Sequence, residues 1–501
     1  MYHCKIARTD AEFTAIARLN YETFVEEIPQ HARNDERLLV DKFHDDNTYI
    51  VLYKDEELIG MLAFRDERPF SIDTKVGGVE NYLARAVCEK MCEVRLLAIK
   101  KEHRVGRVFL RLAQALYTYV LGKNYTACVI SGITTQEHLY KQIGFTQFAE
   151  AVGTEEARYL PMVLTSEQGQ AFYMQFQKKH HLFFPGPVQQ ERALSHTTVS
   201  HRSGLFAQLY KQLKTELTQL AEAKNVAILN GSGTLANDVM LKQVKARMHE
   251  QRGIICKNGE FGGRLIQQAE MLGLQFDVYE VPWGEQYNAQ RLEVAMEQAT
   301  WCAFVHGETS SGTLNDLALF SQLAEKHDVL LAVDCISSFG ALPFSLKGVQ
   351  LATATSGKAL GALAGLSFVF YDDEPLHTGA LYTDLAQYAT RVPYTLPAYL
   401  VANVLEALRA YPQRYDTLAE RLRTLLQLDG LQRLDAAHYP TAVTFHCSPQ
   451  LVVDAQLNGF ELHAHSDYLQ TRHMAQISTI QPHFERDMEA FSTWLRIYEA
   501  I

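Results

Sequence analysis

The chain has 501 residues, with 47 Lys and Arg against 58 Asp and Glu, a formal net charge of −11. Apolar residues make up 47% and charged residues 21%, which excludes a disordered chain, and the acidic balance with no Lys/Arg-rich run argues against wholesale nucleic-acid binding. The length exceeds one core of roughly 250–300 residues, no run of about 18 apolar residues could span a membrane, and MYHCKIARTD lacks the apolar core of a signal peptide, so a cytoplasmic protein of at least two domains is expected.

In chain order, Tyr49–Tyr53 and Leu58–Phe64 flank the polar link Lys54–Glu57 and read as a hairpin. Glu93–Ile99 is a further strand. After Gly106, Phe109, Leu112, Ala113, Leu116 and Val120 fall at helical spacing, with Gly122 as a stop, and Thr126–Ile130 returns to strand. The region ends near Pro161, this mixed α+β domain is taken as 1–165, and a polar connecting helix is expected over 166–182. From Phe183 the rhythm becomes strand, helix, strand, helix: Val226–Leu229, Ile254–Cys256, Phe276–Val281, Cys302–Val305, Val329–Val333 and Ser367–Tyr371 are short apolar runs. That alternation predicts an α/β domain over 183–501, a mostly parallel sheet covered on both faces with a small subdomain from about 400. The eight cysteines read as reduced thiols. Cys88 and Cys92 lie one helical turn apart but have no second pair nearby to complete a zinc site.

Ligands on such sheets bind at the carboxyl ends of strands, and chemistry-bearing residues recur there. Lys358 lies in Ser356-Gly-Lys-Ala-Leu-Gly361, before a strand. A lysine amid small residues reaches a buried carbonyl and, desolvated, acts as a Schiff-base nucleophile. Asp334 closes a strand, where a carboxylate can pair with a protonated pyridine nitrogen. Gly231-Ser-Gly-Thr234 opens a helix whose free N–H groups and two hydroxyls would cradle a phosphate. Asn258-Gly-Glu-Phe-Gly262 could lay Phe261 over a planar ring, and His306-Gly-Glu-Thr-Ser-Ser-Gly312 clusters hydroxyls at another strand end.

Together with Phe184-Pro-Gly-Pro187, Ser200-His-Arg-Ser203 and Val333-Asp-Cys-Ile-Ser-Ser-Phe-Gly340, these motifs make 183–501 resemble class V (fold type I) aminotransferases, in the alanine:glyoxylate and aminoethylphosphonate:pyruvate branch. The resemblance implies pyridoxal 5'-phosphate as cofactor and Lys358 as its Schiff-base lysine and proton shuttle. Asp334 would face the pyridine nitrogen, Phe261 would stack on the ring, and Ser232, Gly233 and Thr234 would hold the phosphate. Thr309 would lie near the ring hydroxyl, and Ser356 would join the cofactor-binding residues. It further implies a homodimer in which Thr395 is contributed to the partner's site. Two departures stand out. Gln476 occupies the place of the family's substrate-carboxylate arginine, so Arg202 or Arg472 would have to substitute, or an unusual donor be used. Gly357 stands where relatives carry an amide or similar side chain.

The first domain resembles the GNAT acyltransferases, in particular the N-acyl amino acid and acyl-homoserine-lactone synthases. The resemblance rests on Phe24-Val-Glu-Glu-Ile, the hairpin, Glu93–Ile99, the His103-Arg-Val-Gly-Arg-Val108 loop, the long helix and Leu139–Phe145. It implies an acyl donor carried by coenzyme A or acyl carrier protein, with Arg104 and Gly106 at the pyrophosphate. Tyr140 would protonate the departing thiolate, and Glu93 is a candidate general base for the amine. His103 and Val108 depart from the loop pattern.

The two halves joined predict a bifunctional enzyme, in which transamination of a carbonyl compound by an amino-acid donor supplies a primary amine that the first domain N-acylates. Two alternatives stay open. The first domain could be a non-catalytic docking module, or the second a lyase or a desulfurase using Cys447.

Overall fold

The computed structural model describes residues 2–28, 30–153, 158–176, 181–189, 199–410 and 413–500. They form two compact units. The first runs to His181 and also includes Gln450–Glu461 and the stretch from Thr493 onward; the second comprises Leu182–Pro449 and Leu462–Ser492. The expected split into contiguous domains, 1–165 and 183–501, is therefore corrected, because two late segments belong to the first unit. The expected connecting helix is Ser166–Phe176; residues 177–180 lie outside the described residues.

The first unit is built on one sheet, in the order Tyr2–Ile6, Thr48–Lys54, Glu57–Arg65, Met91–Ile99, Ala127–Ile133, Arg158–Thr165 and Thr146–Gln147, with Val152–Gly153 also on Arg158–Thr165. Thr48–Lys54 and Glu57–Arg65 are the expected hairpin. The strand Arg158–Thr165 runs through Pro161, which lies opposite Ser131. Thr9 starts the helix Asp10–Tyr21 through a reciprocal capping box with Glu12, satisfying two otherwise free N–H groups. The late segments are tied to the first strand by polar bonds. Asp454, its side chain fully buried, accepts from the Ile6 N–H at 3.0 Å, Arg8 Nη1 at 2.6 Å and Tyr498 Oη at 3.1 Å.

Met91–Ile99 and Ala127–Ile133 run parallel but pair only at Met91–Ala127, Cys92–Cys128 and Glu93–Val129. Beyond that point they part. Leu96 takes φ 51°, and the register with Glu57–Arg65 slips between Met61 and Ala63, the signature of a β-bulge that turns the strand away from its neighbour. Cys88 and Cys92 share no helix: Cys92 is on the strand, and all eight cysteines are free.

The second unit holds a seven-stranded sheet ordered Asn225–Asn230, Leu366–Tyr371, Leu351–Thr355, Leu330–Asp334, Trp301–Val305, Gly253–Lys257 and Phe276–Glu280. All strands run parallel except Leu366–Tyr371, which is antiparallel to both neighbours. Successive residues bury on opposite faces. Val226 and Ile228 join one core with Phe304 and Val333, whereas Ala227 and Leu229 join the other with Ala303 and Ala332. That two-sided burial is why these strands read as unbroken apolar runs.

Candidate active sites

In the second unit the carboxyl ends of the parallel strands open onto a cavity of about 510 Å³, lined among others by Ser232, Gly233, Thr234, Phe261, Thr309, Asp334 and Lys358. Seven residues that the motifs singled out separately thus meet in one place.

Lys358 follows the strand Leu351–Thr355, and its Nζ donates to the Pro185 carbonyl at 3.1 Å. Burial pulls its pKa below the ordinary lysine value, against the opposing pull of Asp334. Gly186 makes room for it. At φ 124° its backbone favours glycine, and a Cβ there would sit 2.8 Å from Lys358 Cδ.

Asp334 ends its strand with both oxygens engaged, Oδ1 by the Ile336 N–H at 2.8 Å and Oδ2 by Asn237 Nδ2 at 2.7 Å. Thr353 donates to Asn237 Oδ1 at 2.7 Å and fixes that amide's orientation. Burial raises the Asp334 pKa. Ser232 is the N-cap of the helix Gly233–Met248, yet its hydroxyl caps no backbone N–H. The first N–H groups of that helix therefore face the cavity with the hydroxyl still free to donate.

Phe261 is positioned from below. Glu308 accepts from the Gly262 N–H at 3.1 Å and the Phe261 N–H at 3.4 Å, and Ser310 Oγ accepts from the Glu260 N–H at 3.0 Å, which together cap the helix Glu260–Leu272. Thr309 Oγ1 lies 3.3 Å from Tyr439 Oη, which donates to Ser337 Oγ at 2.9 Å. Burial pushes the Tyr439 hydroxyl up to about 12. Asn237, Glu308 and Tyr439 were not singled out by the motifs, since each acts across a long sequence separation, and Arg264, one turn beyond Phe261, was not either.

Ser356, Gln476, Arg202 and Arg472 do not stand where the motifs led one to expect them. Ser356 lies outside the cavity lining; its hydroxyl bonds the Leu363 and Leu366 carbonyls and closes the turn that carries Lys358. Gln476 is fully buried on the strand Met474–Ser478, and its Nε2 donates to the Thr309 carbonyl at 2.6 Å, the Ser310 carbonyl at 3.0 Å and Thr444 Oγ1 at 2.9 Å. It therefore stands outside the lining rather than facing a substrate. Arg202 is exposed and Arg472 stacks over Trp283, and neither lines the cavity. Thr395 is exposed and lines no part of the cavity of its own chain. Burial also pushes the Cys447 thiol up to about 12, the opposite of what a thiolate nucleophile requires.

The first unit has its own cavity, about 660 Å³, at the point where the two parallel strands part. Phe24, Leu62, Leu97, Phe109, Leu116 and Ile130 give it an apolar wall, and Glu93, Lys75 and Tyr140 also line it. Glu93, fully buried, accepts the Ser71 N–H at 2.7 Å and the Ile72 N–H at 2.8 Å at the start of the helix Ser71–Val76, and burial raises its pKa. Tyr140 packs on Gly132, where a Cβ would sit 2.7 Å from the ring, and burial raises its hydroxyl pKa. Arg104 does not reach this cavity. Its Nε donates to the Ile99 carbonyl at 2.8 Å and its Nη1 pairs with Glu27 at 2.6 Å. Gly106 opens the helix Gly106–Val120, exposed and outside the lining.

Residues 188–383 match the class V aminotransferase family, and residues 15–166 match the family of the N-acyl amino acid synthase FeeM. A 2-aminoethylphosphonate–pyruvate transaminase of Pseudomonas fluorescens Pf-5 is 31% identical, over 48% of this chain and 72% of its own length. The chain belongs to the class V aminotransferases. The corresponding enzyme of Pseudomonas fluorescens Pf0-1 is 32% identical over 72% of its length. Among solved structures, an aspartate aminotransferase of Thermus thermophilus (TM-score 0.57, 22% identity, 64% of this chain and 99% of that one) has the same fold. So does an alanine–glyoxylate aminotransferase of Nostoc (TM-score 0.57, 22% identity, 64% and 96%). This class V aminotransferase uses pyridoxal 5'-phosphate and carries, ahead of that part, an N-acyl amino acid synthase domain, for which a coenzyme A or carrier-protein thioester is a fitting donor. Among the described residues no helix is long and apolar enough to cross a membrane.

Proposed function

We propose that the two reactions are coupled: the second unit aminates a carbonyl compound and the first acylates the resulting amine on nitrogen. The observation that carries this reading is the meeting of Lys358, Asp334 and the free N-terminus of Gly233–Met248 in one cavity, in a chain that also holds a second, largely apolar cavity beside Glu93 and Tyr140.

Bound pyridoxal phosphate supplies an electron sink for the pair of electrons left when a proton leaves the donor's carbon. The chain's residues do the rest. The Gly233 and Thr234 N–H groups and the Ser232 and Thr234 hydroxyls bind the phosphate. Asp334, held by Asn237 and the Ile336 N–H, keeps a proton on the ring nitrogen. Phe261, on the helix that Glu308 caps, would support the ring, and Thr309, tied to Tyr439, would hold its polar edge. Lys358, whose burial lowers its pKa, would hold the cofactor through its Nζ and carry the proton that the donor's carbon gives up. An amino acid or, as in the relatives' name, 2-aminoethylphosphonate serves as donor. The working form is a homodimer, and exposed Leu381 and Tyr399 suit a face that a second copy covers.

In the first unit, the acyl chain lies along the apolar wall. Glu93 takes the proton from the amine as it attacks the thioester carbonyl, and Tyr140 protonates the leaving thiolate. Phosphate-bearing coenzyme A meets the open N-terminus at Gly106 rather than Arg104, which is spent on Glu27 and Ile99. An acyl carrier protein is the other source of the thioester.

The test is mass spectrometry of products from the full chain given pyridoxal phosphate, donor, carbonyl compound and acyl thioester. An N-acylated amine is expected. Lys358→Ala should stop amine formation while a supplied amine is still acylated. If no supplied amine is ever acylated, the first unit is a docking module.

A further inference from the structure

We infer that Arg264 binds the anionic group of the amino donor, a role displaced from the position of Gln476. This rests on the aminotransferase reading and names the residue that gives that site its preference for charged donors. A carboxylate- or phosphonate-bearing donor needs a cation in the cavity beside Lys358, preferably a guanidinium that can pair through two N–H groups. Gln476 cannot serve, because its Nε2 is taken by the Thr309 and Ser310 carbonyls and by Thr444, with no exposure. Arg202 and Arg472 lie outside the lining.

Arg264 is the arginine that does line it. It sits one turn beyond Phe261 on the helix Glu260–Leu272, its guanidinium carbon 4.9 Å from the centre of the Phe261 ring. The stacked contact orients the planar group while leaving its N–H edge free. Among the described residues it makes no ion pair or hydrogen bond, so a cation stands uncommitted in a cavity whose only carboxylate, Asp334, is already engaged on both oxygens. One residue therefore steers both the ring-stacking side chain and the donor's anion from a single helix face.

The experiment uses the full chain loaded with pyridoxal phosphate, followed by its visible absorption. Aminooxyacetate and O-methylhydroxylamine each capture the cofactor: the aminooxy nitrogen replaces the Lys358 nitrogen on the cofactor's carbon, and Lys358 leaves as a free amine. The two reagents differ in one carboxylate. Arg264→Gln should slow capture by aminooxyacetate roughly 10- to 100-fold, the scale of a lost charge-assisted pair, and leave capture by O-methylhydroxylamine unchanged; Arg264→Lys should restore part of the loss. L-Alanine and 2-aminoethylphosphonate then show which anion is preferred, by which apparent dissociation constant rises more in Arg264→Gln. Equal rates in wild type and variant, or equal slowing of both reagents, overturn the assignment. Weaker cofactor binding with unchanged donor binding also overturns it, since Arg264 would then serve the cofactor's phosphate. If O-methylhydroxylamine leaves the wild-type spectrum unaltered, no Schiff base exists, and the aminotransferase reading falls together with this assignment.

Discussion

Asn237 donates from Nδ2 to Asp334 Oδ2 at 2.7 Å, and this buried contact joins the phosphate-facing helix to the strand that ends at the ring-nitrogen position. The amide is locked in turn by Thr353. Asn237→Leu leaves the carboxylate short of one donor in a buried setting, an effect of about 1–3 kcal/mol. Pyridoxal phosphate should bind roughly 10-fold more weakly, read by absorbance titration; unchanged affinity would show that Asp334 needs no such support.

Lys358 gives the cofactor-free protein a pH-dependent weakness. Burial holds its folded pKa below the ordinary lysine value of 10.5, so below that value the unfolded chain binds the extra proton more tightly. Stability is present at alkaline pH and is lost as pH falls from 10.5 through the depressed value. Lys358→Met removes this loss. At pH 7 the cofactor-free variant should melt above the cofactor-free wild type, and the gap should close toward strongly alkaline pH in calorimetry.

Glu93 has the opposite sense. Burial raises its pKa, so it holds its proton to a higher pH than an exposed glutamate. Acyl transfer that needs the carboxylate should fall off on acidification earlier than the usual carboxylate range. Glu93→Gln should lower the acylation rate about 10²-fold or more, and Tyr140→Phe should lower kcat with little change in KM. A pH–rate profile identical in Glu93→Gln and wild type would remove this residue from proton transfer.

Asp454 holds Arg8, the Ile6 N–H and Tyr498 with its side chain fully buried. Asp454→Ala strands the Arg8 guanidinium and should cost about 3–5 kcal/mol. Denaturant unfolding should show the loss. A fragment ending at residue 165 should be less stable than the same sheet in the full chain.

Much of the second site was legible because its parts are short and contiguous. A glycine- and hydroxyl-rich turn after an apolar run, such as Gly231–Thr234 or Ser356–Gly361, carries its own reason for lying at a strand end. What escaped has no local mark. Tyr439 reaches Thr309 across 130 positions, Asn237 reaches Asp334 across 97, and nothing near either announces the pairing. Ser356 misled because adjacency to Lys358 in sequence does not make two side chains of a tight turn point the same way. Arg104 misled because a basic residue in a phosphate-type loop also suits a nearby glutamate. The first unit's sheet followed from alternation and turn chemistry, but its dependence on Asp454 and Tyr498 rests on partners more than 400 residues away.

The tie between Arg8 and Asp454 also orders events during synthesis. A ribosome that has exposed the strand Tyr2–Ile6 and Arg8 has yet to translate the acid that receives them, and most of the second unit, Leu182–Pro449, must emerge in between. The sheet of the first unit is thus completed only after most of the second unit has been made, so it waits with its edge strand uncapped, and a stop ahead of Asp454 would damage the first unit by removing residues encoded more than 400 codons downstream of its first strand.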